Sequence, residues 1–495
     1  MQIVRTRNFN LRVAKSRSGS KLHRRVLLSR DARWGGSVVV STGMFWGLLV
    51  LPNGKAPAYA GEVIAAKQVS FLNYWTWTDY VGYDRYSPFG ALLVSFLDVR
   101  VVRPLLQLRS IDDIGTVAIY LIPLFLIIFC LIAWLMYKSL RYLGADCVSS
   151  FFGAVFVGTH KGFAHYLGFV TSLAGALLLV AALLATMSLV RYWETRRTRD
   201  LAHFALFLTW SAGLWEKWVG LAFGLVLFSI AVLFIPKLRD TWPRRHVWLG
   251  GVVVPTTLLT VYIPLRFQRI SETTQISEAQ WVFSYPSIGW MIEEMLLNAS
   301  HRIGSTFESL FFPQPMLSAA VLGGYSPDQY NQYNKTYSSA SEFHYHTIAD
   351  WYVGWITGAI VVIIVLGIRW VFKFGTTKEI RMLFLGITLL IGGLVQHLPI
   401  MYRTYFTLPG YASLLDYKQS ISIIGAAILL SVAVSALTSR VAHRNRNLMV
   451  ALLLAWVVTN NAVKILVNSS LAQVGGQMPP IPWLRVFPWL KVVVG

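Results

Sequence analysis

The chain has 495 residues, 55% hydrophobic and 13% charged, and carries a net charge of +22. Soluble domains hold about 25% charged residues, so this composition argues against an ordinary water-soluble globule. Its two cysteines exclude a disulfide framework.

The positive charge is not a nucleic-acid signature, because it is distributed by segment. Segments 1–36, 137–146, 191–200, 237–246, 369–381 and 438–447 hold 27 of the 44 Lys and Arg and 6 of the 22 Asp and Glu. The rest of the chain holds 17 basic and 16 acidic residues. That asymmetry is expected of a polytopic membrane protein whose basic loops face the cytoplasm. It accounts for the charge without a polyanionic partner.

In chain order, the basic stretch 1–36 is expected to lie in the cytoplasm, where anionic headgroups would attract it. The apolar stretch 38–51 and the following Ala58-Tyr59-Ala60 read either as a secretory signal with its cleavage site or as a retained anchor spanning about 37–52. The anchor is the preferred reading, since the basic leader is long for a signal; an organellar transit peptide is a third alternative. An outer segment, 53–113, follows. Its part 88–108 reads as one or two helices lying on the membrane.

The second span is expected at 114–136, one of several runs that meet the ~20-residue requirement for crossing. Block 147–190 would be about 66 Å long as a helix and block 201–236 about 54 Å. Each exceeds one crossing and has basic loops at both ends, so each is expected to be a hairpin with an outer tip. Those tips are 160–165 and 216–217. Further spans are expected at 247–265, 351–372, 382–400, 419–437 and 448–467, about eleven in all. A large outer loop, 266–350, would contain a short amphipathic helix, 290–297, and a tail, 468–495, would lie outside. The sequence shows no internal repeat, which weighs against an inverted-repeat transporter.

The residues that could carry chemistry fall on expected outer segments. Asp79 and Asp84 lie five residues apart among aromatics in the first outer segment, with Arg85 next to the second. A partly desolvated carboxylate has a raised pKa and can act as a general base; the plainer reading is a solvated loop with interfacial aromatics. Arg403 and Tyr405 follow the ninth span. A guanidinium there would fit a phosphate or simply snorkel to headgroups. Glu216 and Lys217 are either a phosphate contact or an interfacial ion pair between Trp215 and Trp218. His160 and His165 are either ligands or proton relays, or polar residues at a wet tip. His344 and His346 lack an evident third metal ligand, so no metal residue is assigned. Asn298, Asn334 and Asn468 head glycosylation-type triplets. Cys130 and Cys147 read as small buried residues.

The stretch Asp79…Asp84-Arg85-Tyr86-Ser87-Pro88-Phe89-Gly90-Ala91-Leu92-Leu93 resembles the first outer loop of the GT-C superfamily of membrane glycosyltransferases. Residues 156–171, with His160 and His165, are similar to the second outer hairpin of such enzymes. Leu398-Pro-Ile-Met-Tyr-Arg403-Thr-Tyr405-Phe-Thr-Leu-Pro409 is similar to their late Arg-x-Tyr…Pro element. The resemblance implies an all-α polytopic transmembrane helical bundle with surface helices in the first outer loop. It implies transfer of a sugar, with inversion, from a polyprenyl-phosphate-linked donor to an acceptor on the non-cytoplasmic face. Asp84 or Asp79 would be the base; the other would position the acceptor or share a divalent metal. The expected home is a bacterial inner membrane, and the expected partners are the lipid-linked donor, membrane lipids and a protein on loop 266–350. The competing expectations are a non-catalytic subunit of the same fold, which would bind a lipid or a protein, and, behind it, a transporter.

Overall fold

A computed structural model describes residues 31–49, 114–163, 172–215, 217–239, 241–272, 287–311, 348–395, 420–439 and 443–474. Among these residues the chain is all-helical and has no strand. The helices are α1 (31–49), α2 (Ile114–Leu143), α3 (Cys147–Gly158), α4 (Ser172–Thr195), α5 (Thr198–Leu214) and α6 (Trp218–Phe234). A single turn, Pro236–Arg239, leads to α7. This helix starts at Arg244–Trp248, passes through a π-helical turn at Leu249–Val253 and continues over Val254–Glu272. There follow α8 (Ile288–Phe307) with a 3-10 turn at Glu308–Leu310, α9 (Ile348–Phe374), α10 (Thr377–Val395), α11 (Ser420–Thr438) and α12 (His443–Val474).

Six of these helices are long and apolar enough to cross a membrane: Pro123–Leu143, Leu173–Thr195, Arg244–Leu265, Gly354–Phe374, Ile421–Thr438 and Asn445–Val463. Runs of this kind make an integral membrane protein, because a helix satisfies its own backbone where no water can. The helices α4 and α11 are the most enclosed, whereas α9 and α12 expose most of their apolar surface, as helices facing hydrocarbon would. Small residues set the closest approaches. A side chain on Gly392 of α10 would stand 2.2 Å from Gly220 O and 2.8 Å from Gly224 N of α6, so only bare backbone lets these helices touch.

The basic segments meet in one layer. Asp31 accepts from Tyr137 Oη at 3.2 Å, Arg141 Nε at 2.9 Å and Cys147 Sγ at 3.4 Å. Asp146 pairs with Arg446. Tyr142 donates to Glu194 at 2.6 Å, His246 Nδ1 lies 2.8 Å from Tyr192 Oη, and Arg381 lies 4.2 Å from the Trp242 ring. Lys237 donates to Phe372 O. These contacts knit together the described parts of all six basic segments. We call this layer the basic end.

Each of the two long apolar blocks contains two described helices, α3 and α4 in the first and α5 and α6 in the second. Asp146 caps α3, accepting from Val148 N at 2.9 Å and Ser149 N at 3.2 Å. It is preceded by Gly144, whose φ of 104° makes the tight turn that only glycine adopts without cost. At 12 residues α3 is about 18 Å long, so it stops short of a full crossing. The helix α1 is an integral part of the bundle, as an anchor would be: Val38, Thr42, Phe45, Trp46 and Leu49 are buried, and Trp46 Nε1 donates to Gly158 O at 2.6 Å.

Three expectations change. The loop 266–350 is not irregular throughout: α7 extends into it to Glu272, α9 begins at Ile348, and the short amphipathic helix expected at 290–297 runs instead over Ile288–Phe307. The tail expected from 468 is helical as far as Val474. In each case the helix outlasts its apolar run, because polar residues continue a helix where they are solvated or find a partner. The whole first outer segment, 53–113, with the surface helices expected at 88–108, and the remaining parts of the large loop and of the tail lie outside the described residues.

Candidate functional site

The helix rise sets the depth of each candidate. His160 lies fourteen residues beyond Asp146, about 21 Å along the chain axis, and Asn460 lies fourteen residues beyond Arg446, again about 21 Å. Trp46 lies fifteen residues beyond Asp31, about 22 Å. Since Asp146 pairs with Arg446, and Trp46 bonds Gly158, these three ladders are in register. His160, Lys161 and Asn460 therefore share one level at the far end of the bundle, opposite the basic end.

At that level the chain leaves α3 through Thr159 and turns in a 3-10 segment, 161–163. Both ring nitrogens of His160 are used. Nδ1 accepts from Gly162 N at 3.0 Å, and Nε2 faces Thr306 O at 3.2 Å. A nitrogen that accepts from an amide carries no proton, and one that bonds a carbonyl must carry one. This imidazole is therefore the neutral Nε2–H tautomer, and it ties the end of α3 to the end of α8.

Lys161 and Glu308 form an ion pair whose side chains are 3% and 2% exposed. The turn that carries Glu308 is held by α12. Trp456 Nε1 donates to Leu310 O at 3.1 Å, and Asn460 Nδ2 donates to Ser309 O at 3.1 Å and to Phe311 O at 2.6 Å. Residues 456 and 460 are four apart, so one face of α12 presents both donors. Arg302, two turns before Glu308 on α8, is also buried. Its carbonyl accepts from Thr306 Oγ1 at 2.7 Å, and Ser300 O accepts from Thr357 of α9 at 2.6 Å. Buried charges are costly and, at membrane depth, gather where function needs them.

The second hairpin breaks at Trp215–Lys217. Leu214, the last residue of α5, lies fourteen residues beyond Asp200, about 21 Å along the helix axis. The Lys217 ammonium stands 3.9 Å from the Trp215 ring centroid, and the side chain is buried.

Of the candidate site residues, the structure thus positions His160 and Lys217; Cys130 and Cys147, expected to be buried, are half-buried, and their thiols face Val39 O and Asp31. Asp79, Asp84, Arg85, His165, Glu216, Arg403 and Tyr405 lie outside the described residues, as do His344 and His346. The sequence reading missed Arg302, Glu308 and Asn460. Glu308 was legible in principle as a single charge in Ser305-Thr-Phe-Glu-Ser-Leu-Phe-Phe312. Its partner was not, since 147 residues separate it from Lys161. Among the described residues no group of three His, Cys, Asp or Glu side chains gathers to hold a metal.

The Asp31 carboxyl at the basic end is held below the usual carboxylate range. Burial opposes its ionisation, but the hydrogen bonds from Arg141, Cys147 and Tyr137, with the guanidinium charge, outweigh that cost. No protein-family model matches the chain, and no curated protein matches its sequence.

Proposed function

We propose that this protein is a membrane glycosyltransferase of GT-C type with about eleven spans, which transfers a sugar from a polyprenyl-phosphate donor to an acceptor. The reaction occurs on the face opposite the basic end, the non-cytoplasmic face of a bacterial inner membrane with the N-terminus inside. Asp84 or Asp79 is the general base, and a divalent metal would be shared with the other. Arg403, Tyr405, Lys217, Glu216, His165 and Arg85 bind the substrates, with the His160–Lys161 break as the floor of the site.

One observation carries this reading: of the five buried charged residues among the described ones, Lys161, Glu308 and Lys217 belong to chain breaks or helix ends away from the basic end and Arg302 lies in the last turns of α8, while Asp200 pairs with Arg191 at the basic end. Irregular backbone at membrane depth is tolerated where it lines a cavity or is enclosed by protein. A lipid-borne donor also explains the lack of a Gly-rich nucleotide loop, since a lipid phosphate replaces the nucleotide.

The test is transfer of sugar by purified protein from polyprenyl-phosphate sugars to candidate acceptors. We expect transfer by the wild type and its loss in Asp79→Asn or Asp84→Asn. Full activity in both variants would remove the base assignment, and no transfer with any donor would remove the reading.

A second reading, a non-catalytic membrane subunit that binds a lipid or a protein partner through loop 266–350, draws on the same ion pair. Lys161 and Glu308 neutralise each other, which serves to clamp the α8 turn onto the bundle. A partner that binds this loop, with no transfer by the isolated chain, would favour it.

A further inference from the structure

We propose that the basic end seats one anionic glycerophospholipid, its phosphodiester held by the guanidinium of Arg381 where the turn after α6 meets the ends of α9 and α10. This seat lies at the opposite end of the bundle from the proposed sugar transfer and does not depend on that reading.

Three elements close around it. Lys237, in the turn after α6, donates to Phe372 O near the end of α9 and lies 5.5 Å from the Phe372 ring centroid. The same ring meets Phe384 of α10 edge to face, 5.8 Å between centroids. Arg381 of α10 reaches back to the segment after the turn, its guanidinium 4.2 Å from the Trp242 ring. Trp242 is itself buried and packs on Trp193 of α4, 4.9 Å between centroids. The indole platform under Arg381 is therefore held in place.

Arg381 is the unusual member of this set. A guanidinium has five N–H donors in a rigid fork. The Nε–H of Arg381 is enclosed and meets no acceptor, and no described residue accepts from its Nη groups. Stacking on the indole offsets part of the desolvation, but a ring face satisfies none of the in-plane protons. The charge bias of a membrane protein places cations in water; it does not account for one that is half-buried with its donors unmatched. An oxyanion with two acceptor oxygens fits that fork.

The surrounding charge selects the headgroup. Lys237 and Arg239 of the turn and Lys373 of α9 are exposed cations. The carboxylates nearby are engaged. Glu379 accepts from Thr376 N at 2.8 Å and Thr376 Oγ1 at 3.0 Å. Glu194, whose charge acts on Arg381, accepts from Tyr142. Asp240 lies outside the described residues. The ammonium of a zwitterionic headgroup would meet these cations, whereas a phosphodiester bearing neutral glycerol brings only the anion.

The apolar rim selects a lipid over a soluble anion. Phe234 closes α6 three residues before Lys237, and Phe374 closes α9 two residues after Phe372; they are 78% and 62% exposed. Ile230, one turn deeper on α6, and Val362 and Leu366, deeper on α9, are exposed as well. Acyl chains would cover such surfaces, and a basic site between span ends is where a lipid headgroup binds.

The test is thermal unfolding of the full chain in detergent, titrated with dioleoylphosphatidylglycerol, dioleoylphosphatidylcholine and glycerol 3-phosphate. We expect phosphatidylglycerol to raise the midpoint most and glycerol 3-phosphate least. Arg381→Met, which keeps an apolar stem on Trp242 and deletes the fork, should weaken phosphatidylglycerol about tenfold. Arg199→Gln, which removes an exposed cation elsewhere in the same layer, should weaken it no more than about twofold. Equal stabilisation by phosphatidylcholine would overturn the anionic headgroup, and equal stabilisation by glycerol 3-phosphate would overturn the lipid source. Equal weakening in the two variants would reduce the effect to diffuse charge and overturn the seat, as would unchanged affinity in Arg381→Met. If Arg381→Met does not fold, Arg381→Lys decides: it keeps the charge but not the fork, so weaker binding is expected and wild-type binding would overturn the assignment.

Discussion

Lys161 and Glu308 show how much a single pair of side chains can decide. Each is nearly inaccessible, so removing one partner leaves the other as an uncompensated charge, a change that costs about 3–5 kcal/mol in buried pairs. Replacing both with apolar residues of similar size is far milder. Glu308→Gln is therefore expected to lower the unfolding midpoint sharply in detergent, and the Lys161→Met/Glu308→Leu double variant to recover most of it. Equal losses in the single and double variants would show that the pair contributes nothing as a pair. His160 makes the same point about chemistry: with Nδ1 accepting from Gly162 N and Nε2 directed at Thr306 O, its reading as a structural strut gains over its reading as a relay. No sequence pattern distinguishes these, because tautomer and partner are tertiary facts.

At the scale of elements, helix length was the most legible property. The apolar runs and the helix breaks near 160 and 217 follow from the ~20-residue crossing rule and charge bias. What composition could not show was how a helix end is tied. The helix α1 was ambiguous between a cleaved signal and an anchor; its buried face and the Asp31 acceptor cluster make it part of the bundle. Because that carboxyl is held below its usual range, its contribution is fully present above the unfolded-state value and is lost as pH falls through the lower, folded one. Asp31→Asn is expected to destabilise the protein by about 1–2 kcal/mol at neutral pH. The gap to wild type should hold as pH falls to about 4 and close only below it. A gap that closes between pH 7 and 5, followed by thermal unfolding, would contradict this origin.

For the whole molecule, the charge asymmetry proved the most informative sequence feature, since the described parts of the six basic segments it selected form one connected layer. Less of the candidate site was legible. His160 and Lys217 were marked as polar residues at helix breaks, but Arg302, Glu308 and Asn460 come from a loop and a helix whose proximity to residue 160 arises only from packing. If the basic layer faces the cytoplasm, a single cysteine at position 196 in a cysteine-free background should react with a membrane-impermeant thiol reagent only after permeabilisation. A cysteine at position 84 should react in intact cells. The opposite pattern would put the proposed base on the wrong side of the membrane.

The separation of Lys161 from Glu308 also has a consequence for biogenesis. Translation at about 5–20 residues per second makes Lys161 wait roughly 7–30 s for the carboxylate that will neutralise it. During that interval the hairpin made by α3 and α4 has to be accommodated without its final counter-ion. Release of this hairpin from the insertion machinery is thus expected to be gated by the arrival of residue 308, so that the amino-terminal half of the chain completes its assembly late.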